Sequence, residues 1–311
     1  MKRILVFLAI TFALTWGYEF LVVYPLVEGD LSKGGSMTTM LAVGAAMFFP
    51  AIGVVLTRLV TREGFGHCVI KPYPKKRSLP WFLVAWFGPG VLAALGALLY
   101  FALFPGDFDP QATNFVRTLQ AQMAAAGQTS APPANVEALI LLQVAVGVLL
   151  GPALNIFTTF GEEWGWRGYL MPKMANRLRI VPTMLLTGVI WGLWHAPITA
   201  LGHNYGVGYP GWPFTGILAM CCFCTVCGIF LSYVTIRTGS CLAAAFGHGA
   251  LNALANAPAM FAVAGVNPFV GPAPTGIIGG AAFVVVAAVM LWDLWRRERA
   301  GTLVVPQAGW A

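Results

Sequence analysis

Charge is what this chain has least of. Only 9% of its 311 residues are Asp, Glu, Lys or Arg, against 58% hydrophobic residues and a mean hydropathy of +0.76. So few charges cannot clothe the surface of a soluble domain of this size, so the class is integral membrane protein. Acidic residues are scarcer still, 11 against 18 basic ones, for a net charge of +7. The excess does not point to nucleic acid, because the basic residues are not interleaved with exposed aromatics. They gather in short segments beside apolar runs, which is where topology signals sit. No Gly-x-Ser-x-Gly elbow, nucleotide-binding loop or internal repeat is present. A disulfide framework is also excluded, because four of the six cysteines (Cys221, Cys222, Cys224 and Cys227) fall in one apolar span and read as packing residues.

What the chain does have is apolar length. Its runs approach or exceed the roughly 18 to 20 residues that carry a helix across a bilayer, and stretches such as 281–292 lack the alternation of a barrel strand. The expected fold is all-α, a polytopic transmembrane bundle of about eight helices over 4–27, 37–60, 80–104, 136–164, 181–201, 212–236, 241–262 and 275–295. The whole chain, 1–311, reads as one membrane domain with a core at 136–262. Five basic segments flank the runs: Lys2 and Arg3; Arg58 to Arg77; Lys173 to Arg179; Arg237; and Arg296 to Arg299. All five fall on one side if the count is even, which makes both termini cytoplasmic in a multi-pass protein of the cell membrane. Met1-Lys2-Arg3 opens like a signal peptide, but the run continues to Val27 without a small-x-small cleavage site, so a retained first helix is expected. Between Pro105 and Asn135 a short interfacial helix is expected, with Asp109 as cap, Pro110 at the first position, Phe115, Leu119 and Met123 on one stripe, and Gly127 as stop.

Ionisable groups in mid-bilayer cost about 2.5 to 3.5 kcal/mol on insertion scales, so they face a cavity or a partner. Three places carry them: Glu162, Glu163 and Arg167; His195; and His248 with Asn252. His67 and His203 lie in joints and are expected to be solvated. Glu163 and Arg167, four apart, share a helix face and can pair. Glu162 points about 100° away and is left to face a cavity. His248 and Asn252 are also four apart, one turn along one face. A carboxylate, two imidazoles and an amide from three helices can activate water, protonate a leaving amine and meet an oxyanion. The set Glu162, His195 and His248 is equally able to ligate a metal with an open position for water.

With these residues in view, the chain resembles the CPBP family, the intramembrane proteases related to type II CAAX prenyl endopeptidases and to bacteriocin-processing and self-immunity (Abi) proteins. Glu162, Glu163 and Arg167 match its Glu-Glu-x-x-x-Arg motif. Trp191 and His195 match Phe-x-x-x-His with Trp in place of Phe, and His248 and Asn252 match His-x-x-x-Asn. The resemblance covers about 136–262. It implies an intramembrane endopeptidase in which Glu162 activates water and His195, His248 and Asn252 polarise the scissile carbonyl. Glu163, Arg167 and Trp191 support the site. The implied substrate is a peptide or protein, lipidated in the CAAX case, within membrane lipid and without nucleic acid; Zn is the one candidate cofactor. A non-enzymatic scaffold or immunity protein is the alternative, and a transporter comes after it, since no inverted second half is visible.

Depth poses a condition. If Glu162 lay at the membrane surface, His195, about 14 residues into the fifth span, would be roughly 21 Å deeper. The expectation is therefore one long helix from Leu139 to Tyr169 that carries Glu162 into the bilayer, facing a water-filled pocket open to the cytoplasm.

Overall fold

The computed structural model describes residues 1–31, 36–125 and 135–307. It is all-helical, with no strand among the described residues and one isolated bridge between Phe108 and Ala262. The main helices are α1 (Lys2–Val27), α2 (Met37–Val60), α3 (Lys75–Leu103), α4 (Thr113–Ala125), α5 (Val136–Leu149), α6 (Ile156–Gly165), α7 (Ile180–Trp194), α8 (Phe214–Thr238), α9 (Cys241–Leu254) and α10 (Ala281–Arg299). Among the described residues α1, α2, α3 and α8 are long and apolar enough to cross a membrane, and α5 and α7 are shorter apolar helices.

Several expected spans need correction, each for a local reason. The single helix from Leu139 to Tyr169 is broken. Leu150 leaves helical geometry (φ −117°, ψ −23°) ahead of Pro152, and a short turn, Gly151–Leu154, precedes α6. Proline removes a donor and crowds the carbonyl four residues back. Here that carbonyl, Val148 O, accepts the indole N–H of Trp86 on α3 at 3.0 Å, so the break is satisfied by a neighbouring helix. Beyond Gly165 the helix runs further than expected, through a π turn (Trp166–Leu170) and on to Ala175. The span over 241–262 stops at Leu254 and becomes a 3-10 turn, Ala257–Phe261, that includes Pro258. The last span begins at Ala281, because the Gly- and Pro-rich stretch before it folds as turns. The interfacial helix forms as α4, with Asp109 accepting the Thr113 N–H at 2.6 Å, though it starts three residues past Pro110. Its expected stop, Gly127, lies outside the described residues.

α7 packs along α8, α9 packs along α3 and α6, and α6 lies in turn against α2. Two glycines permit the last contact: a Cβ on Gly161 would sit 2.6 Å from Met47 O, and one on Gly165 would sit 2.5 Å from Pro50 Cβ. Small residues bring membrane helices to backbone distance where apolar surface alone gives no drive. The Gly161 and Gly165 pair thereby seats the glutamates between them deep in the bundle.

The basic segments gather at one end, as their spacing predicts. Arg3 and Lys173 both pair with Glu63. The Tyr73 N–H donates to Thr238 O at 2.7 Å, Ser240 Oγ donates to Ile70 O at 2.5 Å, and the Ile180 N–H donates to Glu298 Oε1 at 2.7 Å. These bonds join the ends of α1, α2 and the α6 extension, those of α3, α8 and α9, and those of α7 and α10. At the opposite end the Leu31 N–H bonds Leu201 O, and the Asp109 N–H bonds Phe261 O.

Candidate active site

The three motifs meet because their helices enter from the same end and run to the same depth. Glu162 lies about thirteen residues inside Ala175 and His195 about fifteen inside Ile180, or roughly 20 and 22 Å at 1.5 Å per residue. α9 begins deeper. Its first turn, Ser240 and Cys241, is fully buried, and a Cβ on Gly168 would sit 3.2 Å from Cys241 Sγ. Cys241 is thus already level with Gly168, and seven more residues bring His248 to Glu163. The depth condition is met by extending the helix beyond the motif.

Within the cluster the glutamates diverge. Glu162, 2% exposed, reaches toward α7 and accepts the Trp191 Nε1–H on Oε2 at 2.8 Å; its Oε1 has no protein donor among the described residues. Glu163, fully buried, accepts from Arg167 Nη1 and from His248 Nδ1 on the same oxygen, Oε1, each at 2.9 Å. The expected Glu163–Arg167 pair is present, with His248 as a third member. The Arg167 guanidinium also lies over the Trp191 ring, 4.2 Å from its centroid. α8 leaves room for that guanidinium at Gly228, where a Cβ would come within 3.0 Å of Nη2.

His195 ends α7. Its backbone N–H turns to Gly192 O, which frees the Trp191 carbonyl to accept the His195 Nδ1–H at 2.9 Å. Both site histidines therefore hold Nδ1 as a donor, and each keeps Nε2 as its second functional nitrogen. The Trp191 ring sits 5.7 Å from the ring of His195 and 5.4 Å from that of His248. Trp191 is consequently the centre on which Glu162, Arg167 and both histidines converge. Asn252 lies one turn beyond His248 on α9 and is exposed.

Glu162 is nearly fully buried, with one carboxylate oxygen held by an indole, and two other residues depart from expectation. His203 is not a solvated joint residue. Its ring is half-buried and stacks parallel to that of His195 (centroids 6.2 Å apart, planes 4° apart). Glu19 was overlooked. It opens a π turn in α1, is buried, leaves Oε2 without a partner, and lies within electrostatic reach of Glu162. Its signal was in the sequence, as the one ionisable side chain inside an otherwise apolar first run. His67 is exposed, as expected.

Metal chemistry can be tested on the donor set. Among the described residues no three His, Cys, Asp or Glu side chains converge closely enough to hold a metal ion. The Nδ1 hydrogen bonds of His195 and His248 leave Nε2 as the nitrogen a metal would take, and Glu162 has one oxygen bonded to Trp191. Glu162, His195 and His248 do not stand as such a three-donor group in this structure. The cysteines are all free, and Cys221, Cys224 and Cys227 are buried in α8.

Known proteins resemble this same region. The family model described as Type II CAAX prenyl endopeptidase Rce1-like matches residues 143–254. A stretch of 52 residues is 36% identical to CAAX prenyl protease 2 of Methanococcus maripaludis, covering 17% of this chain and 19% of that protein. The match therefore spans about a fifth of that relative's length. The family to which the three motifs point is thus the one the comparisons find, over the segment 143–254 that contains all three.

Proposed function

We propose that this protein is a membrane-embedded endopeptidase that hydrolyses a peptide bond near the C-terminus of a prenylated, CAAX-type substrate. The observation that carries this reading is the enclosed pair of carboxylates with separate tasks: Glu162 held by Trp191, and Glu163 anchoring Arg167 and His248. The match to Rce1-like proteins supports the substrate class.

In this reading Glu162 Oε1 takes a proton from water as the water oxygen attacks the scissile carbonyl. The Trp191 N–H fixes the other carboxylate oxygen, so the base has one orientation. His195 Nε2 accepts a hydrogen bond from the water and holds it for attack. Charge that develops on the carbonyl oxygen is met by Nε2–H of His248 in its imidazolium form, which the Glu163 carboxylate supports, and by the amide of Asn252. The proton held on Glu162 passes to the leaving amine as the carbon–nitrogen bond breaks, which restores the carboxylate.

The test is cleavage of a farnesylated peptide ending in a CAAX sequence by the purified protein, followed by mass spectrometry. Release of the C-terminal tripeptide from the farnesylated peptide, and slower release from its unprenylated twin, is expected. Equal cleavage of the twins would remove the prenyl group from the proposal, and cleavage of neither would remove the activity.

A further inference from the structure

A cavity of about 800 Å³ opens at the basic end of the bundle, away from the catalytic cluster, where the start of α1, the end of α2 and the end of the α6 extension meet. Five cationic side chains line it: Lys2, Arg3, Arg62, Lys173 and Arg177. The carboxylate set against them is Glu63, which is buried and already bonded to Lys173 and to the Tyr169 hydroxyl, at 2.7 Å from the latter. Arg3 stands 3.7 Å from Glu63 with 45% of its side chain exposed. Arg62, Lys2 and Arg177 are exposed and have no carboxylate partner among the described residues.

Cations at the ends of α2 and of the α6 extension complement the negative end of a helix dipole, but Lys2 and Arg3 do not. They sit in the first turn of α1, a 17-residue helical stretch whose N-terminus has no side-chain cap and no acidic residue. Positive side chains from α1, α2 and the α6 extension therefore line the cavity together, which is an arrangement that an anion relieves. The apolar side chains of Ile4 and Val60 line the same cavity where it meets the membrane-spanning parts of α1 and α2. Its volume lies in the range of sites that hold whole small molecules, well beyond what one phosphate fills.

The geometry points to a binding site for the phosphodiester headgroup of an anionic glycerophospholipid. Arg62, Arg177 and the first turn of α1 receive the phosphate, and Ile4 and Val60 receive the start of the acyl chains. Because Lys173 belongs to the helix that continues from Glu162, and Tyr169 on the same extension bonds Glu63, a lipid here would brace the helix that carries the catalytic glutamates.

The test uses the full chain in neutral detergent and native mass spectrometry, with dioleoyl phosphatidylglycerol as the probe and dioleoyl phosphatidylcholine as the uncharged comparison. One phosphatidylglycerol is expected to be retained per chain, in preference to phosphatidylcholine. Retention should fall at least about tenfold in Arg62→Gln/Arg177→Gln, and should persist in Lys75→Gln/Lys76→Gln/Arg77→Gln, which removes charge from the same end outside the cavity. Circular dichroism and gel filtration show whether each variant is folded. Equal losses in the two variants would mean a diffuse basic surface, and no selective retention by the wild type would mean no site; either overturns the proposal. Retention that survives excess inorganic phosphate assigns the site to a lipid. Complete displacement by phosphate, with phosphate alone raising Tm as much as the lipid does, would give the site to the free anion and overturn the lipid assignment.

Discussion

Trp191 illustrates how a side chain's chemistry differs from its size. In the motif it substitutes for phenylalanine, and by volume it is a wall; in the structure its N–H holds Glu162 and its ring carries Arg167. Trp191→Phe keeps the wall and removes the donor. The expected result is a fall in kcat of about tenfold or more with KM little changed, since a hydrogen bond to a charged group is worth about 1.5 to 3 kcal/mol. Steady-state kinetics on a cleaved peptide check it. Glu163 makes a different prediction. Its removal strands the buried Arg167, so Glu163→Ala should destabilise the protein by about 3 to 5 kcal/mol. Arg167→Ala combined with it should cost less than the two single changes together, as read by a double-mutant cycle of thermal or denaturant unfolding. The motif residues were legible because an ionisable group in an apolar run always calls for a partner. Glu19 obeyed the same rule and was missed for want of a second motif residue beside it. His203 was missed because a residue between two helices is assigned to solvent by default, and only the fold stacks it on His195.

At the scale of elements, hydropathy locates the apolar runs well and their interruptions poorly. α1, α2, α3 and α8 fall where the runs lie. The break at 150–155 was signalled by Pro152, yet its consequence depended on Trp86, a residue more than sixty positions away that receives the released carbonyl. Sequence offers no means of pairing those two. The extension of α6 to Ala175 continues past Pro172, which follows the π turn without ending the helix. The contact of α6 with α2 should be sensitive to side-chain size. Gly165→Leu forces a side chain into Pro50 and should cost about 1 to 3 kcal/mol of stability and lower activity by displacing both glutamates. Exposed Leu154→Ala on the preceding turn should do neither. Thermal unfolding and peptide cleavage measured side by side separate the two.

For the whole molecule, the distribution of charge said the most. The scarcity of charge gave the class, the clustering of lysine and arginine gave a common end, and the bonds of Glu63 to Lys173, Thr238 to Tyr73, Ile70 to Ser240 and Glu298 to Ile180 accord with that gathering. The depth of the site followed from counting residues along helices that start at that end, with one adjustment for the buried start of α9. Function was legible only as far as the three motifs, since no spacing reveals that one glutamate is bound to an indole and the next to a histidine. The account rests centrally on the division between them. It is tested most directly by single-turnover cleavage of a farnesylated CAAX peptide by wild type and by Glu162→Gln, each shown to be folded by its unfolding transition. The account predicts that Glu162→Gln binds the peptide with affinity close to wild type and loses cleavage by about a thousandfold or more, on the scale of removing a catalytic base. Cleavage by folded Glu162→Gln at the wild-type rate would contradict it.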